Sequence, residues 1–135
     1  MGFWSPKFLS GYQSPLPGRA PNDAIFYWEA LAVVSALDWA CSTLPIPRCL
    51  IVYSDNTNTV DMFNSLKALP QYNELLKTAV DILLLHSIEI RVFHIPGKDN
   101  VMADALSRFD NDLVYQLAPT ASISLFQPPQ SVMNA

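Results

Sequence analysis

Charge is scarce in this chain, and what there is leans acidic. Only 15% of the 135 residues are charged, twelve acids against eight bases, giving a net charge of −4 and a pI near 4.8. That is the wrong sign for holding nucleic acid by phosphate neutralisation alone. Any such role must be local, with metal ions at a carboxylate site or a basic partner domain supplying the positive charge. Cysteine is scarcer still: Cys41 and Cys49 stand alone and form no Cys-x-x-Cys pair. A disulfide scaffold is excluded, which leaves two buried thiols or a single 41–49 bridge. No apolar run approaches the roughly 18 residues needed to cross a bilayer. Met1–Phe8 has neither the basic start nor the apolar stretch of a secretory signal, so a soluble protein of the cytoplasm or nucleus, with no membrane partner, is expected. The four glycines form no Walker loop and no dinucleotide turn, and there is no G-x-S-x-G or H-E-x-x-H.

What the chain has is apolar mass. Half its residues are hydrophobic, enough for burial to offset the entropy of ordering, so intrinsic disorder is excluded. The length predicts one domain with one core. Residues 1–21, with Gly2, Gly11 and Gly18 among Pro6, Pro15, Pro17 and Pro21, predict a hairpin of Met1–Ser5 and Phe8–Gln13. Asn22 or Asp23 can cap a helix over Ile25–Cys41. That helix is apolar on more than one face, Trp28, Leu31, Val34 and Trp39 flanking the stripe Val33, Ala36, Ala40, which predicts cover on both sides.

Leu44-Pro-Ile-Pro47 ends the helix, and the unbroken run Cys49–Tyr53 predicts a central strand buried on both faces. Helices are expected over Thr57–Leu66 and Gln71–His86. Ile88, Ile90 and Val92 alternate with Glu89 and Arg91 as a half-exposed strand, with His94 near its rim. Pro96-Gly97 breaks it before a helix over Val101–Arg108. These elements make residues 1–112 an α/β domain. Residues 113–135 carry no charge. With Pro119, Pro128 and Pro129 they predict a non-helical tail or linker in which Ile123–Phe126 can form a strand.

In an alternating α/β chain ligands gather outside the carboxyl ends of the strands. Asp55 follows the most apolar strand, where a carboxylate is costly unless it binds something. Glu29 shares the helical stripe of Val33, Ala36 and Ala40, at offsets of 4, 7 and 11, and so projects from a face meant for the core. Asp104 shares a ridge with Val101 and Arg108. These three stand apart from the solvated acids Asp61, Glu74, Asp81, Asp110 and Asp112. Collected together they would suit a hard cation such as Mg²⁺, which prefers oxygen ligands and, in pairs about 4 Å apart, activates water for phosphodiester cleavage. The structural alternatives are an exposed Glu29, an Asp55 that caps a helix, and an Asp104 that pairs with Arg108 at i,i+4.

The segment Ile25-Phe-Tyr-Trp-Glu29-Ala-Leu-Ala, the Ser54-Asp55-Asn56 strand end and the run His94-Ile-Pro-Gly-Lys-Asp-Asn-Val-Met-Ala-Asp104-Ala-Leu-Ser-Arg108 resemble the ribonuclease H domain of retroelement reverse transcriptases, of the gypsy or DIRS-like kind abundant in fungi. The likeness covers nearly the whole chain, and the last run carries most of it. The resemblance implies a mixed five-stranded sheet in the order 3-2-1-4-5 flanked by helices, and metal-dependent hydrolysis of the RNA strand of an RNA–DNA hybrid. It assigns Glu29, Asp55 and Asp104 as catalytic and metal-binding carboxylates for Mg²⁺ or Mn²⁺, and places Asn56, Asn100 and Lys98 near the hybrid. Reverse transcriptase or recombinase domains of a parent polyprotein are the implied protein partners.

Two departures stand out. Met1-Gly-Phe-Trp4 already matches the family's second strand, so the first strand and its metal-bridging aspartate have no counterpart, and Gly97-Lys98 stands where the family has a loop histidine. A truncated domain with a vacated or substituted central strand, weak metal binding and impaired hydrolysis is the expectation. The hairpin closing directly on Cys49–Tyr53, or Ile123–Phe126 or another chain filling the gap, are the other arrangements weighed. The competing function is a non-catalytic, domesticated or decayed protein-interaction module, which would show Trp28, Trp39 and residues 113–135 as one exposed apolar patch.

Overall fold

The structure is a computed structural model that describes residues 1–16, 24–43 and 45–129. The Asn22 or Asp23 cap, Leu44 and residues 130–135 lie outside the described residues. The chain opens on a hairpin of β1 (Gly2–Ser5) and β2 (Ser10–Gln13), paired from Gly2 opposite Gln13 to Ser5 opposite Ser10. Helix α1 (Ala24–Cys41) follows, then β3 (Cys49–Ser54), α2 (Thr57–Ser65), α3 (Asn73–His86), β4 (Glu89–His94), α4 (Val101–Ser107), α5 (Asn111–Leu117) and β5 (Ser122–Leu125). The expected hairpin, the four helices over 25–108 and the strand after His86 are all present.

Local signals explain the boundaries. The Asn56 side chain caps α2 by accepting from the Thr59 N–H at 2.9 Å, satisfying one of the amides that a helix start leaves free. Leu66 and Ser87 close α2 and α3 in left-handed conformation, and each returns its N–H to the preceding turn. Burial then selects the faces. Leu31, Val34 and Leu37 of α1, Phe63 of α2, Tyr72 just before α3 and Leu75 within it are each at most 2% exposed, and they join Val92 of β4 in the main core. Each such side chain contributes roughly 1.5–3 kcal/mol. A second, smaller cluster of Ala105, Leu106 and Val114 lies on α4 and α5 and takes in Trp4 and Ile123.

The sheet is divided, as a vacated central strand implies. β1, β2 and β5 form one piece, with β5 parallel to β2, while β3 and β4 form a separate parallel pair from Cys49 opposite Glu89 to Ser54 opposite His94. Helix α1 packs on both β1 and β3. The hairpin does not close on β3, and β5 adds to the outer side of β2 instead of filling the gap.

Three expectations are corrected. β3 is not buried on both faces: its inner face lies on the core and its outer face is open, so it alternates, Ile51 and Tyr53 being 52% and 59% exposed. Residues 111–117 are helical although uncharged from 113, because Asp110 caps them through the Leu113 N–H and Val114 has the α4 cluster to pack on. The two thiols are free, Cys41 half-buried and Cys49 exposed on the open side of β3.

Candidate functional site

A cleft of about 240 Å³ opens where the start of β1, the start of α1, the end of β3 and α4 meet. Glu29, Asp55 and Asp104 all line it, together with Met1, Gly2 and Asn100. Glu29 reaches it because α1 turns Val33 and Ala40, on the same stripe, into the core. Asp55 reaches it as the first residue beyond β3. It is not the cap of α2, since Asn56 takes that place. Asp55 Oδ2 lies beside the 97–99 turn, 3.5 Å from where a Cβ on Gly97 would stand. Asp104 comes from the first turn of α4 and pairs with Arg108 one turn on, the structural alternative recognised in the sequence.

Glu29 senses its neighbours. Burial pushes the Glu29 carboxyl above its ordinary value of 4.5, the charges of Asp55 and Asp104 raise it further, and the Met1 ammonium pulls against them. That ammonium donates to the Ser14 carbonyl at 2.8 Å. Burial lowers its pKa, and Glu29 opposes the shift. Like charges gathered in a half-buried cleft give it a negative potential that no Lys side chain reaches into.

No protein-family model matches the chain, and no curated protein does. Among solved structures it is similar to ribonuclease H1 from the halophilic archaeon Halobacterium salinarum NRC-1, at 21% identity and a TM-score of 0.56 over 71% of this chain and 70% of that one. The fold is ribonuclease H-like. At this identity the likeness concerns the fold, and its mixed sheet flanked by helices agrees with the architecture expected from the sequence.

A ribonuclease H-like fold raises the question of a divalent metal. Oxygen-only donors of negative charge are the right chemistry for Mg²⁺ or Mn²⁺. The geometry is another matter: among the described residues no group of three Asp, Glu, His or Cys side chains converges closely enough to hold an ion. Arg108 already engages Asp104. The residues therefore do not fit a preformed metal centre, and no reaction step follows through one. What they can do as they stand is attract and orient a cation.

Of the residues expected near a hybrid, Asn100 lines the cleft. Lys98 is exposed in the 97–99 turn, and the Asn56 amide is engaged in its cap. His94 and His86 end β4 and α3 outside the cleft. Sequence reasoning missed the Met1 ammonium, whose place depends on where the hairpin docks. It also missed Asn64, whose amide bonds both backbone groups of Val92, at 2.7 and 3.1 Å. No local signal marks an asparagine for that task. Among the described residues no helix is long and apolar enough to cross a membrane.

Proposed function

We propose that this chain is a ribonuclease H-like domain of retroelement descent, of the gypsy or DIRS-like kind, in which Glu29, Asp55 and Asp104 are the remnant of a two-metal phosphodiesterase site. The observation that carries the reading is that three acids on three separate elements line one cleft. The fold likeness supports it. So does the run from His94 to Arg108, which puts Asp104 and Asn100 at that cleft. Activity on RNA–DNA hybrids is impaired, because among the described residues only these three carboxylates line the cleft and Arg108 competes for Asp104. Mg²⁺ or Mn²⁺ binds weakly at Asp55 and Glu29. Asn56, Asn100 and Lys98 face the hybrid, and reverse transcriptase or recombinase domains are the natural protein partners.

The test is a labelled RNA–DNA duplex incubated with the full chain and Mg²⁺, beside a Mn²⁺ titration followed by relaxation of water protons. Little cleavage and millimolar Mn²⁺ binding that Asp55→Asn weakens are expected. Rapid turnover abolished by Asp55→Asn would contradict the impairment, and Mn²⁺ binding indifferent to Asp55→Asn would contradict the site.

The competing reading of a protein-interaction module finds only part of its patch among the described residues. Trp39 is packed among Phe3, Tyr12 and Phe8, with ring centroids 5.1–6.0 Å away, and Leu113, Val114 and Ile123 lie in the α4 cluster, whereas Tyr115, Leu117 and Leu125 are exposed. Other exposed apolar side chains include Ile25, Ile51, Tyr53, Leu84, Leu85 and Phe93.

A further inference from the structure

Two strand edges face the division in the sheet, and their backbone groups can be assigned from the pairing. The Arg48 and Ser54 carbonyls accept from the N–H groups of Glu89 and Ile95. In a parallel ladder alternate residues turn to opposite sides, so Cys49, Ile51 and Tyr53 aim their N–H and C=O groups away from β4. On the hairpin, Met1 and Ser14 exchange backbone bonds, so Gly2 and Trp4 aim theirs away from β2. No strand pairs with either side among the described residues. The outer edges are managed differently. β5 covers β2, the Asn64 amide closes β4 at Val92, and β5 itself is four residues long.

The two open edges also agree on direction. Met1 sits with Glu29 near the start of α1, and Phe3 and Phe8 lie against Trp39 near its end, so β1 runs along α1 in the same sense. β3 runs the other way and finishes at Asp55, back beside Glu29. A guest strand parallel to β3 is therefore antiparallel to β1, the sense each edge needs for pairing. Beside it on the open face stand Ile51 and Tyr53, the latter 6.0 Å from the Phe93 ring, which favour apolar residues in alternation. At the guest's carboxyl end lie Glu29 and Asp55. Neither is among the ion pairs formed by Lys or Arg in the described residues.

We infer that the gap between β1 and β3 takes an extended strand of a partner protein, parallel to β3 and antiparallel to β1, with alternating apolar residues and a Lys or Arg at the carboxyl end that reaches Glu29 and Asp55. Recognition is by strand addition: main-chain bonds supply affinity, and the acidic end of the gap supplies register and sign. The inference rests on the open edges and not on the proposed hydrolase descent, so loss of one leaves the other standing.

The probe is the capped peptide Thr-Val-Thr-Val-Thr-Lys, titrated into the full chain while amide hydrogen exchange is followed residue by residue. The amides of Cys49, Ile51, Tyr53, Gly2 and Trp4 are expected to slow by about tenfold or more at saturation, the amount one added hydrogen bond supplies. A peptide N-methylated at the valines should bind at least about tenfold more weakly. Ile51→Pro removes a donor aimed at the gap without touching the β4 ladder, and should do the same. Replacing the terminal Lys of the peptide by Glu should weaken binding, and Asp55→Asn should shrink that difference. No protection at millimolar peptide, or equal binding by the N-methylated form, overturns the inference. Self-association in the absence of peptide that Ile51→Pro abolishes would assign the gap to a second copy of this chain and overturn it equally. Indifference to the terminal charge would overturn the basic end.

Discussion

The two pieces of sheet are built on opposite principles. The β3–β4 pair is thin but lies over the main core, where α1, α2 and α3 bury Leu31, Phe63, Tyr72 and Leu75 behind it. Its other face, with Ile51, Tyr53 and Phe93, is open. The β1–β2–β5 piece has α1 on one face and the small cluster of α4 and α5 on the other. One half is therefore deep and one-sided, the other shallow and two-sided. The shallow half depends on few side chains, so damage there should separate the halves rather than unfold both. Opening of individual elements at energies below the global value is common where buried contacts are few.

The largest effect that exposes this contrast is Leu106→Ala. Leu106 is fully buried, and its side chain fills the space over Gly11 while its Cβ crowds Gly2. A loss of about 3 kcal/mol is expected in chemical denaturation, with the amides of α4, α5 and β5 exchanging faster and those of α3 unchanged. Gly2→Ala comes next. An added Cβ would stand 2.7 Å from Leu106 Cβ and 2.7 Å from the Ser107 backbone N, neither of which can swing aside, so about 2 kcal/mol is expected. The same change at Gly11 meets the mobile end of Leu106 at 2.7 Å and should cost visibly less. Equal costs would show that α4 is looser on β1 than described.

On the deep half, Asn64→Leu should cost about 1–2 kcal/mol by stripping both bonds from Val92, and should promote association through the freed β4 edge. Light scattering during concentration would report it.

Glu29 gives a smaller effect with a definite sign. Its folded pKa lies above its unfolded value, so its contribution to stability is fully present below about 4.5 and is lost as pH rises through the raised folded value. Glu29→Gln should therefore stabilise the chain at neutral pH and have no such effect at pH 4, as thermal unfolding at the two pH values would show. Least of all, Arg108→Ala should change stability by under about 0.5 kcal/mol, since its ion pair with Asp104 is half to two-thirds exposed.

The order of elements was legible in the sequence because each carries a local signature: the Asn56 cap, the helical spacing of Leu75, Leu76 and Ala79, and the Pro96-Gly97 break. The site acids were legible for a related reason. Glu29 breaks an apolar stripe and Asp55 ends an apolar strand, and both anomalies point into the cleft. The exposure of β3 was not legible, since Cys49–Tyr53 is as apolar as a strand buried on two faces. Its open outer face is a fact of tertiary packing that composition does not carry. Helix α5 escaped notice because its support, the α4 cluster, is tertiary, and because the absence of charge from residue 113 on resembles a linker.

The central claim is that Glu29, Asp55 and Asp104, far apart along the chain, share one cleft in which Glu29 feels the charge of the other two. An NMR titration of the ¹³C-labelled Glu29 carboxyl in the full chain, repeated in Asp55→Asn, tests it most directly. A midpoint above 4.5 that falls when Asp55 is neutralised is the predicted result. A midpoint at the ordinary value, or one that ignores Asp55→Asn, would contradict the account.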